Sequence, residues 1–132
     1  MLYIDSDIFL YAILNQEEMG RKARAFLGEV QQGKEHACSS TLTFDEIAWV
    51  VKKNRSIEDA VAAGEAFLNF PNLKLTPVDI DLLAKALEII KNHRLDPRDS
   101  IHAASAISEK ADAIISTDRH FDKIRSLHRK SI

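Results

Sequence analysis

A chain of 132 residues with 45% apolar and 29% charged content is long enough to bury a core of its own and ordinary for a globular protein. Its net charge of -2 excludes a uniformly basic nucleic-acid binder, though not basic patches around an acidic site. One cysteine, Cys38, excludes an intramolecular disulfide and a Cys-based zinc site, and the longest apolar run, Ile8 to Leu14, is too short to span a membrane. The N-terminus lacks the basic segment of a signal peptide. The expectation is one cytoplasmic domain over residues 1–132.

Leu2-Tyr3-Ile4 is a short apolar run without polar alternation, which predicts a strand buried on both faces, as in a parallel sheet. It ends at Asp5-Ser6-Asp7, and Ile8 to Leu14 begins a helix. In open α/β sheets the ligand crevice lies outside the carboxyl ends of the strands, so Asp5 stands where such folds keep their chemistry. The competing role for Ser6 or Asp7 is the cap of the next helix. Met19 to Gln32 has Ala23, Phe26, Leu27 and Val30 at helical spacing and stops at Gly33. Glu35 to Ser39 is a second strand, and Cys38 within it reads as a small buried residue.

Thr41 to Asn54 forms a helix with little polar surface in its first three turns. Glu46 lies among Leu42, Trp49 and Val50 on it, where a carboxylate is desolvated unless something compensates. Asp45 points elsewhere and reads as exposed. Ser56-Ile57-Glu58-Asp59 starts a helix that runs to about Phe70, and Leu73 to Val78 is a strand. Asp79 caps a helix with Ile80, Leu83, Ala84, Leu87 and Ile90 in register, ending near His93. Asp96-Pro97-Arg98-Asp99 opens another, with proline at its favoured first position. On it Asp99 shares a face with His102, which reads as a packed histidine with a local hydrogen bond. Ala113 to Ser116 is a strand followed at once by Thr117-Asp118, so a second strand ends in a hydroxyl and a carboxylate. Asp118 has a cap role open to it as well. The basic tail holds one edge strand.

The order of elements predicts a three-layer α/β/α domain with a mainly parallel sheet. Strand ends and helix N-termini gather at one edge of such a sheet. Carboxylates gathered there repel each other unless a cation sits among them, and oxygen ligands suit Mg2+ or Mn2+. No phosphate-binding or dinucleotide glycine motif is present.

Tyr3-Ile4-Asp5-Ser6-Asp7, Glu46 in its apolar helix, Asp99 to Ala104, and Ile115-Ser116-Thr117-Asp118 with Phe121 together resemble the PIN domain family, and in size and layout the toxin-type PIN ribonucleases of toxin–antitoxin pairs. The resemblance covers essentially the whole chain. It implies an RNase H-like fold and makes Asp5, Glu46, Asp99 and Asp118 catalytic metal ligands, with Asp7, Thr117 and Asp122 lining the site. The reaction it implies is Mg2+- or Mn2+-dependent hydrolysis of RNA, with a small antitoxin protein as partner. Two alternatives come from other classes. A haloacid-dehalogenase-like phosphatase would use Asp5-Ser6-Asp7 as nucleophile and acid. A non-catalytic binding domain would use its acids only as caps. Leu42, Phe44, Ile47, Trp49, Val50 and Val51, with Phe67 and Phe70, exceed what one face of a small core needs, which predicts a homodimer.

Overall fold

A computed structural model describes residues 1–132. Five parallel strands lie in the order β3-β2-β1-β4-β5, with β1 Leu2–Ile4, β2 Ala37–Ser40, β3 Leu73–Thr76, β4 Ala113–Ile115 and β5 Arg129–Lys130. Six helices flank them: α1 Ser6–Leu14, α2 Glu18–Gln31, α3 Leu42–Asn54, α4 Ile57–Leu68, α5 Ile80–His93 and α6 Pro97–Ser108. A 3-10 turn covers Arg119–Lys123. The chain builds outward from β1 to β3, then returns to place β4 on the other side of β1. The switch point is therefore between β1 and β4, where α/β folds open a crevice.

Strand side chains alternate, and the alternation makes two cores. Ile4, Ala37 and Ile115 face α1 to α4 and pack with Ile8, Phe9, Leu27, Ile47, Val51 and Phe67. Tyr3, Cys38 and Ile114 face the other way, onto Ala103 and Ala106 of α6 and Phe121. The alanines of α6 are almost fully buried, and their small size lets the helix lie close to the sheet. The result is the three-layer, mainly parallel arrangement expected, here wholly parallel.

Boundaries shift for local reasons. The first helix begins at Ser6 rather than Ile8, so Asp5 becomes its N-cap. The second strand begins at Ala37 rather than Glu35. The fourth helix stops at Leu68; Pro71 disfavours helical backbone in Phe70 before it. The strand β3 ends at Thr76, before Pro77, which has no N–H for the ladder.

Two apolar surfaces are left uncovered by the chain. On α3, Ile47 and Val51 are core, as is Phe67 on α4, whereas Phe44 and Trp49 are exposed. On α5 the regular stripe faces outward: Leu82 and Ala86 are buried, and Ile80, Leu83 and Leu87 are exposed. Helical spacing marks an apolar face without saying what covers it.

The α1–α2 corner is tight. Asn15 Oδ1 accepts from the N–H groups of Glu17 and Gly20, and Arg24 donates to the carbonyls of Ala12 and Asn15. A Cβ at residue 20 would stand 1.9 Å from the Asn15 carbonyl oxygen. Gly20→Ala should cost about 1–3 kcal/mol as the corner shifts, read from the urea midpoint. An unchanged midpoint would show that the corner yields freely.

Candidate active site

The edge of the sheet at the switch point carries the acids, held by a chain of small hydroxyls. Asp5 ends β1, and its backbone N–H donates to the Ile115 carbonyl of neighbouring β4. Its buried carboxylate accepts from Ser6 N–H at 2.8 Å and from Ser116 Oγ at 2.7 Å. Ser116 Oγ in turn accepts from the Asp118 N–H at 3.0 Å. The end of β1 thus anchors the residue after β4. Asp5 is also the cap of α1, and Asp118 caps the 3-10 turn through the His120 N–H. Both acids are therefore caps as well as members of the acidic edge.

Glu46 reaches the same edge from α3. Its Oε2 accepts from Ser6 Oγ at 3.1 Å, and its Oε1 meets His102 Nε2 at 2.5 Å. His102 is fully buried, its Nδ1 lies 2.7 Å from the Tyr3 hydroxyl, and Asp5 Oδ1 is 3.6 Å from Nε2. Its partners are long-range ones, from β1 and α3, rather than the local one expected. Burial alone would push the imidazole pKa down; the hydrogen bond to Glu46 and the charges of Asp5, Glu46 and Asp99 outweigh it and hold it above its ordinary value. Burial likewise pushes Glu46 up, but His102 more than offsets this and leaves it lowered.

Asp99, in the first turn of α6, meets Asp118 rather than Glu46. Together with His120 they form a set whose ligand atoms lie within 4.8 Å of one another. His120 Nδ1 stands 3.0 Å from Asp118 and 3.8 Å from Asp99. Burial, then the Asp118 charge, raises the Asp99 pKa. His120 was not singled out in the sequence; its place two residues after Asp118, in a turn, is the signal for it. So the four expected acids arrive at one edge as two pairs, Asp5–Glu46 on His102 and Asp99–Asp118 on His120.

Of the lining residues, Asp7 and Thr117 are bound to each other: Asp7 Oδ2 accepts from Thr117 N–H at 2.8 Å and from its hydroxyl at 2.6 Å. Asp122 is taken by Arg129, which donates to both its oxygens at 2.8 and 3.1 Å.

The PIN domain family model matches residues 2–127. This chain belongs to the PIN domain family. No curated protein sequence matches it. Among solved structures, VapBC2 from Rickettsia felis, bound to a DNA fragment from its promoter, aligns with a TM-score of 0.77 at 18% identity, covering 99% of this chain and 98% of that one. VapC20 from Mycobacterium tuberculosis, a sarcin–ricin loop cleaving toxin, aligns at 0.77 and 15% identity, covering 92% and 93%. FitAcB from Neisseria gonorrhoeae aligns at 0.70 and 16% identity, covering 98% and 96%. At these identities the likeness is one of fold.

The PIN domain's acidic edge fits a divalent cation on its own geometry. An octahedral ion with bonds of about 2.1 Å spaces its ligands about 3–4 Å apart. Asp99, Asp118 and His120 reach that spacing with small adjustments. No helix of the PIN domain is long and apolar enough to cross a membrane.

Asp7 carries a further mark of strain. Its Oδ1 is buried without a hydrogen-bond partner. Burial, then the Asp5 charge, pushes its pKa from 3.8 to about 6. A folded-state value above the unfolded one means that ionised Asp7 costs stability above pH 6, and the cost fades as pH falls toward 3.8. In EDTA, this side chain should add about 1–1.5 kcal/mol of stability between pH 7.5 and 5. Asp7→Asn should flatten the pH dependence of the urea midpoint by that amount. An unaltered slope would locate the titration elsewhere.

Proposed function

We propose that this PIN domain is a metal-dependent ribonuclease, the toxin of a toxin–antitoxin pair, hydrolysing RNA phosphodiester bonds with Mg2+ or Mn2+. The observation that carries this reading is the convergence of Asp5, Glu46, Asp99 and Asp118 at the β1–β4 switch point of a PIN fold. Asp99 and Asp118 would hold the cation, and Asp5 and Glu46 would complete the acidic edge. When bound, the ion neutralises charge on the phosphoryl oxygens and lowers the pKa of a bound water.

The chain's own groups supply the rest. Asp5 keeps Asp118 in place through Ser116. His102 and Ser6 hold the two oxygens of Glu46. Asp99 or Asp118, through a carboxylate oxygen turned toward the attacking water, would take its proton. Attack by water rather than by the ribose 2′-hydroxyl leaves a 5′-phosphate and a 3′-hydroxyl. Arg98 and Arg119, both exposed and each adjacent in sequence to a site acid, would contact the phosphate backbone. Single-stranded or loop RNA suits an open edge without a groove-reading element.

A labelled RNA should be cut in Mg2+ or Mn2+ and left whole in EDTA, with no phosphate released from small phosphoesters. Cleavage in EDTA would refute the metal mechanism. The phosphatase alternative would use Asp5 as nucleophile and Asp7 as acid, and phosphate release from small phosphoesters would favour it over the nuclease.

The partner reading rests on complexes of similar fold, VapBC2 among them, and a toxin–antitoxin complex from Klebsiella pneumoniae aligned at a TM-score of 0.68 and 16% identity over 96% of this chain and 95% of that one. A groove of about 300 Å³ between α1, α2 and α4, lined by Phe9, Ile13, Leu27, Phe67 and Phe70, would seat an apolar antitoxin segment. A homodimer would use part of the apolar surface that α3, α4 and α5 leave exposed. Light scattering at high micromolar concentration should give twice the chain mass; a monomer there would refute it.

A further inference from the structure

We propose that Arg129 is a positioning residue of the acidic edge: its guanidinium grips Ser116 and Asp122, on either side of Asp118 in the chain, and so holds the segment that presents Asp118. This rests on the nuclease reading above.

The sheet does not need this side chain. The strand β5 pairs with β4 through the backbone, Ile114 N–H donating to the His128 carbonyl and Ser116 N–H to the Lys130 carbonyl. Leu127, just before β5, is buried in the core behind it. The Arg129 side chain goes to the site end of the sheet instead. Its Nε and one terminal nitrogen donate to the two oxygens of Asp122 at 2.8 and 3.1 Å, and the other terminal nitrogen donates to the Ser116 carbonyl at 3.1 Å. A guanidinium is planar and rigid, so two bonds to one carboxylate and a third to a carbonyl fix the three groups relative to one another.

Both groups it grips lead to Asp118. Ser116 is the residue whose hydroxyl donates to Asp5 and accepts from the Asp118 N–H. Asp122 lies in the 3-10 turn that Asp118 caps. Phe121, fully buried, roots that turn in the core, whereas Asp118 is half-buried and takes its place from the hydrogen bonds around it. A phosphate-binding arginine looks different. The charge of Arg129 is matched by Asp122 and only 16% of its side chain is exposed, while Arg98 and Arg119 are open to solvent.

The test compares the parent with Arg129→Lys and Asp122→Ala, which break the fork from opposite sides. Rates are measured on a labelled RNA in Mn2+, and amide hydrogen exchange is followed by NMR in the metal-free full chain. Either variant should lower kcat about tenfold or more and leave KM within about twofold, as for a group that orients a site acid without touching RNA. The Asp118 N–H should exchange about tenfold faster, while the Ile114 and Ser116 N–H groups of the ladder keep the parent's rates. The double variant should be no worse than either single one, since the fork acts as a unit. Additive losses would give Asp122 a role of its own and overturn the proposal. A raised KM, with a salt slope reduced by about one, would make Arg129 a phosphate contact and overturn it too. An unchanged kcat, or ladder amides that quicken together with Asp118, would reduce the fork to a strut of β5. A parent that cuts no RNA refutes the nuclease reading, and the exchange rates then decide alone whether Arg129 holds Asp118. Asp122 is more than half exposed, so Asp122→Ala decides should Arg129→Lys not fold.

Discussion

In EDTA, Asp99→Asn should melt above the parent, and in Mn2+ it should cut RNA about 100-fold more slowly or worse. Both effects come from one charge. In the metal-free protein the Asp99 carboxylate is partly buried and faces Asp118, a like charge that raises its pKa further. Asparagine keeps the shape and removes the repulsion. With Asp99 holding the ion as proposed, the same substitution removes a ligand, so the stabilisation that metal gives by binding only the folded state must shrink. At an Mn2+ concentration of about 100 times the parent's Kd, the parent gains about 2.7 kcal/mol; a variant binding tenfold more weakly gains about 1.4 kcal/mol. The competing role for Asp99 is an acid in the first turn of α6, where its charge is worth about 0.3–1 kcal/mol to the helix. In that case Asp99→Asn melts lower in EDTA and gains as much from Mn2+ as the parent. The two roles differ in sign, so paired melts with and without metal separate them.

What could be read in the sequence follows from how local each signal is. The strands β1 and β4 are legible because each is a short apolar run broken by polar residues, Asp5 after β1 and Ser116-Thr117-Asp118 after β4, and parallel burial leaves no other pattern. That pattern alone sets Asp5 directly after β1 and Asp118 three residues after β4. Glu46 is legible from the apolar neighbours on its own helix. The partners of these acids are not, because they arrive from far along the chain. Tyr3 and His102 are 99 residues apart, Glu46 and His102 are 56 apart, and nothing in the composition of either segment encodes the pairing. Asp122 shows the converse. Its spacing after Asp118 resembles a site acid, but Arg129, seven residues on, holds its carboxylate. The stripe on α5 fails for another reason. Ile80, Leu83 and Leu87 are in perfect helical register, yet α6 packs against Leu82 and Ala86 instead, and the more regular face is left to solvent. Periodicity reports that a face is apolar; only packing tells whether the chain itself covers it.

His102→Leu should be the most destabilising substitution at the acidic edge, at about 3–5 kcal/mol near neutral pH, because it leaves the buried Asp5 and the half-buried Glu46 without the imidazole between them. Leucine fills the volume, so the loss is electrostatic rather than a cavity effect. Replacing the pair, in the double variant His102→Leu with Glu46→Leu, should recover much of it, since an apolar pair of similar volume is often as good as a buried ion pair. The recovery stays incomplete because Asp5 remains, 3.6 Å from where the ring stood. The pH dependence gives the sharper check. In the parent, His102 has its pKa raised, so its contribution is complete below the unfolded value and is lost as pH rises through the folded one. Glu46 has its pKa lowered, so its contribution is present above the unfolded value and is lost as pH falls through the folded one. In His102→Leu the abandoned acids are raised instead, and their penalty fades as they protonate at low pH. The gap between parent and variant should therefore peak around neutrality and narrow on both sides, measured by urea unfolding in EDTA across the pH range. A neutral ring that merely packs against Tyr3 would give a gap that does not vary with pH.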